Sequence, residues 1–244
     1  MRSISRNIWA ENMNFPALFG SQLWTPANTI MEGWWDASDL STITVDTGGV
    51  SQLNDKSGND QHLTQPLESA RPATGTHTLN DLNMFFFNGS EALATYGDDF
   101  VVPTSGNFIV YQIAESFLPL DNVADGMFSM LNAAGRDWQY VGGVNVNDWN
   151  GRAVVSELGG VNTNFSPPAG VGPALYSLEF NFDASTITGY VSGSDVGGTT
   201  YTLTVTSPQT FITMSNRVGN ALAGHFGEVF IDEDVTEAQR QRNE

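Results

Sequence analysis

Residues 34–62 read WWDASDLSTITVDTGGVSQLNDKSGNDQH: two tryptophans run into an aspartate, and further on comes NDKSGND, a segment suited to neither helix nor strand. A strand ending at Trp35 buries one tryptophan and lays the other along an edge. Asp36-Ala37-Ser38-Asp39 then turns the chain, because Asp and Ser side chains satisfy nearby backbone N–H groups. Thr42-Ile43-Thr44-Val45 alternates as a short strand, and Gly48-Gly49 permits the next reversal. Val50–Leu53 leads into Asn54–Asn59, rich in residues that tolerate left-handed backbone or form side-chain turns. The reading is a tight hydrogen-bonded loop fixing the rim of a sheet, with the tryptophans beneath it. The residues expected to build this corner are Asp36, Asp39, Asp55, Lys56, Ser57, Gly58 and Asn59.

Outward from this corner nearly every signal is β. Short runs rich in Val, Ile, Thr and aromatics alternate with Gly, Asn, Asp and Pro clusters. Strands are expected at Glu32–Ala37, Ile43–Val45, Leu82–Asn88, Phe108–Ala114, Met127–Leu131, Trp138–Val141, Ala153–Ser156, Leu175–Phe182, Thr186–Val191, Tyr201–Thr206, Phe211–Met214 and His225–Ile231. LYSLEFNF (175–182) sets Leu175, Ser177, Glu179 and Asn181 against Tyr176, Leu178, Phe180 and Phe182, which predicts one buried and one wet face. DAST (183–186) reads as a hairpin turn and SGSDVGG (192–198) as a lead into the next strand. Near the end, Thr236 and Gln239 have capping-box spacing, with Glu237 in the first turn and Arg240 and Arg242 near the last, so a short C-terminal helix is expected.

Residues 1–22 are a different piece. Arg2 and Arg6 form a small basic cluster, and Ile4, Ile8, Trp9, Met13, Phe15, Leu18 and Phe19 are apolar without a sustained period. Unattached, such an arm exposes considerable apolar surface. It either docks on a partner or symmetry mate, through Arg2, Arg6, Ile8, Trp9, Phe15 and Phe19, or folds back on its own domain; both readings stay open. The division expected is an arm over 1–22 and one domain over 23–244.

Charged residues are 15% of the 244, below the usual share of about 25%, so Asn, Thr, Ser, Gln and Gly must supply much of the polar surface. The formal net charge of -18 repels nucleic acid and anionic membranes, so neither is expected as a partner. There is no cysteine, which excludes disulfides and thiol chemistry. MRSISRNIWAENMNF lacks the apolar core of a signal peptide, and no run of about 18 apolar residues exists. The expectation is a chain kept inside a cell or delivered without the usual secretion signal.

WWDASD, ITVDTGGVSQLNDKSGNDQHLTQ, ARP and LNMFFFNG together resemble the laminin G-like jelly roll of the concanavalin A-like lectin/glucanase superfamily. The matching positions are Trp34, Asp36, Ala37, Ser38, Asp39, Val50, Ser51, Gln52, Asp55, Lys56, Ser57, Gly58, Asn59, His62, Arg71, Pro72 and Gly89. NFIVYQIA, YSLEFNFDASTITGYVSGSDVGG and GHFGEVFIDEDVTEAQRQ resemble the later strands and closing helix. The resemblance spans about residues 24–242. It departs at Leu53, where a tryptophan is usual, at Asp60, where a glycine is usual, and at FNGSEA, which lacks two acids of the family pattern. It implies an all-β, antiparallel two-sheet jelly-roll sandwich with a short C-terminal helix and an N-terminal arm. It also implies a bacteriophage virion protein, whether capsid decoration, fibre or tail-associated subunit, because free-standing members of this size are often phage products. The partners would then be other virion proteins and further copies of the chain, and the location the virion.

Chemistry is sparse. A retaining glucanase needs paired carboxylates about 5–5.5 Å apart. Glu179 and Asp183 would sit roughly 13 Å apart on one strand at 3.3 Å per residue. No catalytic residue and no enzymatic activity are therefore expected. His62, His77 and His225 lack metal-ligand spacing and read as structural, so no metal is assigned. No cofactor is expected, although the oxygen-rich Asp98-Asp99, Asp121, Asp125 and Asp232-Glu233-Asp234 leave calcium open. Trp138, Tyr140, Asn147, Asp148 and Trp149 suit a host-surface glycan: rings cover the apolar sugar faces and amides meet hydroxyls. A lectin-like module or adhesin is the alternative to the virion role, and a glycoside hydrolase the third.

Overall fold

The computed structural model describes residues 31–94, 105–116, 128–131, 139–142, 151–154, 173–200, 211–214, 223–236 and 239–240. These form an antiparallel two-sheet sandwich. One sheet holds β1 (Met31–Asp36), β5 (Ala73–Leu79), β6 (Leu82–Asn88), β8 (Asn107–Ser116), β12 (Ala174–Asn181), β13 (Thr186–Val191), β14 (Ser194–Thr200) and β16 (Ala223–Glu233). Its order is β14-β13-β12-β8-β16-β6-β5. The second sheet holds β2 (Ile43–Asp46), β3 (Gly49–Leu53), β4 (Leu63–Thr64), β7 (Leu93–Ala94), β9 (Phe128–Leu131), β10 (Gln139–Gly142), β11 (Gly151–Val154) and β15 (Phe211–Met214). Its order is β11-β10-β9-β15-β7-β4-β3-β2. The long β16 divides one side between two partners: Ala223–Phe226 pair with β6, and the stretch through Asp232 pairs with β1.

Trp34 and Trp35 point to opposite faces of β1, as the two-residue strand period requires. Trp35 is fully buried in the main core with Phe85, Phe87, Phe108, Phe128, Phe180 and Phe226. It spans the two sheets, its ring centroid 5.9 Å from that of Phe128. Gly33 makes room for it, since a Cβ there would collide with the indole ring. Trp34 does not lie along an edge, as the sequence suggests. It joins a second buried cluster on the outer face of the first sheet, with Met31, Ile109, Tyr111, Leu175, Phe230 and Val235. Register aligns Trp34, Phe230, Tyr111, Ser177 and Tyr190 in one row across five strands. A cation closes each end: Lys56 lies 4.1 Å from the Trp34 ring centre and Arg240 lies 4.0 Å from that of Tyr190.

The face of β12 expected to be wet is therefore covered, with Leu175 and Ser177 both buried. Tyr176, Leu178 and Phe180 face the main core as expected. The β12–β13 hairpin pairs Asn181 with Thr186 around the predicted turn. Of SGSDVGG (192–198), read as a lead-in, residues 194–198 belong to β14, the outermost strand of its sheet among the described residues, and Gly197 lies beside a bulge in the pairing with β13. The capping box is present: Thr236 N donates to Gln239 Oε1 at 2.9 Å and Gln239 N to Thr236 Oγ1 at 3.2 Å. Gln239 and Arg240 are helical. The expected strand Tyr201–Thr206 lies outside the described residues.

Candidate functional site

The corner beyond Trp35 is built by side chains acting as backbone partners. Asp55 Oδ1 accepts Trp34 N at 2.9 Å and Ser57 N at 2.9 Å, while Oδ2 accepts Ser57 Oγ at 2.7 Å and Gln61 N at 3.1 Å. Asn59 Nδ2 donates to the carbonyls of Met31 and Glu32 at 3.0 and 3.1 Å, and Lys56 N to that of Trp34 at 2.8 Å. The loop thereby occupies backbone groups on the side of β1 away from β16, a side left open to stray pairing in a bare edge strand. Gly58 has φ +97°, and Asp60 takes φ 57°, a left-handed conformation that explains the glycine usual at that place in the resembling family. Lys56 Nζ bridges Asp36 Oδ2 at 2.8 Å and Asp39 Oδ2 at 3.0 Å. Burial opposes the lysine charge, but these carboxylates outweigh it and hold the ammonium pKa above its ordinary value. The side chains of Asp36, Asp39, Asp55, Lys56, Ser57 and Asn59 are all engaged in these contacts within the protein.

Of the glycan candidates, Tyr140 alone falls on a described strand, β10, at the end of the second sheet away from β2. β10 and β11 are its last two strands, with Tyr140 opposite Ala153 and Gly142 opposite Gly151. Residues 143–150 connect them. Trp138, Asn147, Asp148 and Trp149 lie outside the described residues, and for Tyr140 the backbone alone is described. The arm residues Arg2, Arg6, Ile8, Trp9, Phe15 and Phe19 lie outside them too, as do Asp98-Asp99, Asp121 and Asp125.

Two carboxylates weighed for hydrolysis have structural duties. Glu179 accepts from Asn107 Nδ2 at 2.9 Å and Tyr190 Oη at 3.0 Å, and Asp183 accepts Gly106 N at 3.2 Å. Of the acidic run near the C-terminus, Asp232 is buried. Burial, then the charges of Glu32, Asp234 and Asp232, push the Glu233 carboxyl up to about 7.

A constellation with no sequence spacing to announce it lies on the outer face of the first sheet. His225 on β16 is opposite Glu115 on β8. The bulged β5 brings His77 to the same spot, and its ring stacks on His225 at 3.6 Å between centroids and 8° between planes. His225 Nδ1 lies 2.9 Å and His77 Nε2 3.3 Å from the same oxygen, Glu115 Oε2. Burial lowers the His225 pKa, the hydrogen bond to Glu115 opposes this, and the His77 charge adds to the lowering; the net direction is down, toward the neutral ring. His62, by contrast, accepts Asp55 N at 3.1 Å, the structural duty expected of it.

No protein-family model and no curated protein sequence matches the chain. Solved structures do match in fold. The botulinum neurotoxin serotype G binding domain superposes with a TM-score of 0.62 at 11% identity, over 87% of this chain and 50% of that one. Domain 4 of AbnA, a GH43 extracellular arabinanase from Geobacillus stearothermophilus in complex with arabinotriose, gives 0.57 at 14% identity, over 86% and 96%. The binding domain of botulinum neurotoxin DC in complex with SialylT gives 0.56 at 13%, over 78% and 47%. The chain thus spans about half the length of the neurotoxin domains and nearly all of the arabinanase domain. At these identities the likeness establishes the antiparallel two-sheet sandwich fold and nothing finer.

Proposed function

We propose that this chain is a non-enzymatic carbohydrate-binding module. The observation that carries the reading is the fold likeness to domains solved with sugars bound, above all the arabinanase domain matched over nearly its full length. The engagement of Glu179 and Asp183 in structural hydrogen bonds supports the absence of hydrolysis. The glycan surface is the β10–β11 end of the second sheet, with Trp138, Tyr140, Asn147, Asp148 and Trp149 as contact residues. Aromatic rings stack on the apolar faces of a pyranose or furanose, and the Asn and Asp side chains meet its hydroxyls.

The virion setting rests on the sequence alone: the family resemblance and the apolar, basic-tipped residues 1–22. In that setting the arm holds the module on a particle and the sugar edge faces outward. A glycan array decides the binding reading. Reproducible hits that weaken in Trp149→Ala and Trp138→Ala are expected, with no reducing sugar released from the ligands that bind. An array without hits, or hits indifferent to both substitutions, would remove the proposal.

A further inference from the structure

We propose that His77, Glu115 and His225 form a binding site for one divalent transition-metal ion, zinc being the ion the donor set fits. Two imidazole nitrogens and a carboxylate oxygen, all within 4.8 Å of one another, converge from three strands. This is a nitrogen-rich set of the kind zinc and its neighbours take, unlike the all-oxygen sets of calcium and magnesium. Tetrahedral zinc with bonds of about 2.0–2.2 Å places its donors roughly 3.3–3.5 Å apart, so the cluster needs to draw in by little more than 1 Å. The His77–Glu115 contact, at 3.3 Å, already has that spacing, and the His225–Glu115 contact, at 2.9 Å, is slightly inside it.

The ring geometry says which ligand must move. Parallel rings 3.6 Å apart cannot both aim in-plane lone pairs at one ion. His225 is held, its side chain 10% exposed and its ring tilted against Phe86 at 5.6 Å. The His77 side chain is 35% exposed and stands on the edge strand β5, so turning its ring is the small adjustment that completes the site. Each imidazole presents to the ion the nitrogen now facing Glu115 and carries its proton on the other one, as neutral ligating histidines do. Water fills the remaining position from the solvent side. The chain's net charge of -18 raises the local cation concentration.

The proposal is independent of glycan binding and is tested on tag-free, chelator-treated full-length protein. Zinc titrated calorimetrically should bind with a stoichiometry of one. Cobalt(II) should give the visible absorption of a low-coordinate nitrogen–oxygen site. His77→Ala and Glu115→Gln should each weaken zinc binding by about tenfold or more. Far-UV circular dichroism on each variant separates lost ligation from lost folding, and His77, on an edge strand and partly exposed, is the substitution the fold best tolerates. Saturable zinc binding that is equal in wild type, His77→Ala and the His77→Ala/His225→Ala double variant would overturn the proposal, as would no saturable binding by the wild type.

Discussion

Lys56→Met tests how the corner beyond Trp35 is held. The substitution keeps most of the side chain's length over Trp34 and removes the charge. Lys56 is the sole partner shown for Asp36 Oδ2, and the side chains are 15% and 5% exposed. Taking one member from a buried ion pair costs about 3–5 kcal/mol, because the other charge is stranded. Asp36 keeps Ser38 N and Oγ on its other oxygen, at 2.9 and 2.6 Å, which favours the low end. Asp39 is 19% exposed and held by Ser41, so its share is at most about 1 kcal/mol. The expected loss is about 3 kcal/mol, or roughly 6–12 °C in Tm for a domain of this size. The lysine's pKa is raised from 10.5, so its contribution is complete below that pH and fades above it. Asp39, where burial is outweighed by hydrogen bonds from Ser41 and Lys56, is lowered from 3.8; its contribution is complete above that pH and fades in acid. Urea unfolding followed by tryptophan fluorescence at pH 7 therefore reads the full effect. Asp36→Asn/Lys56→Met should recover part of the loss, since no charge is then stranded. Asp46→Asn, which touches an ion pair whose carboxylate side is 62% exposed, should change stability by about 0.5 kcal/mol or less. A Lys56→Met protein within about 1 kcal/mol of wild type would refute the reasoning.

Other expectations follow from single contacts. Gly33→Ala drives a methyl into the Trp35 ring and should cost about 1–3 kcal/mol in chemical denaturation. Gln112 is fully buried on the core side of β8, and neither polar atom of its amide has a hydrogen-bonding partner among the described residues; Gln112→Leu should raise stability by about 1–3 kcal/mol, read as a higher urea midpoint. Glu233, raised from 4.5 to about 7, binds its proton more tightly in the folded state, so its contribution is complete below pH 4.5 and lost as pH rises through about 7. Because the group is partly exposed, Glu233→Gln should stabilise by no more than about 1 kcal/mol at pH 8 and should flatten thermal stability between pH 5 and 8.

What the sequence disclosed about the fold was mostly local chemistry. Asp-Ala-Ser-Asp and Asp-Lys-Ser-Gly-Asn use side chains as backbone partners within a few residues, so their turns are legible from composition. The capping box has a fixed three-residue spacing and was readable for the same reason. β5 escaped because Gly75, at φ +76° within a bulge, breaks its alternation. Its hairpin signal was nevertheless there: Asn80 and Asp81, at φ 51° and 64°, form the two-residue turn that joins Leu79 to Leu82. The covering of the β12 outer face was not legible. Alternating polarity in LYSLEFNF reports one side of a sheet against the other, and it cannot report that Tyr111 and Phe230 stack at 4.5 Å across neighbouring strands to continue an apolar row beside Ser177.

The histidine–glutamate constellation shows where such reading ends. Its members come from three strands, and His225 and Glu115 are 110 residues apart in the chain. A ligand pair on one strand or helix leaves a spacing in the sequence; a pair made by register leaves none, because register is a property of neighbouring strands. Only the placement of β16 between β8 and β6 makes His225 reach Glu115, and only the bulge in β5 makes His77 reach them both. One buried ring held against Phe86 and one partly exposed ring on an edge strand would then divide the work of the proposed metal site between a fixed ligand and a movable one. The central strands of such a sheet are held on both sides and its edges are freer to adjust, and a cation captured across that boundary would tie the edge strand β5 to the centre of the sheet.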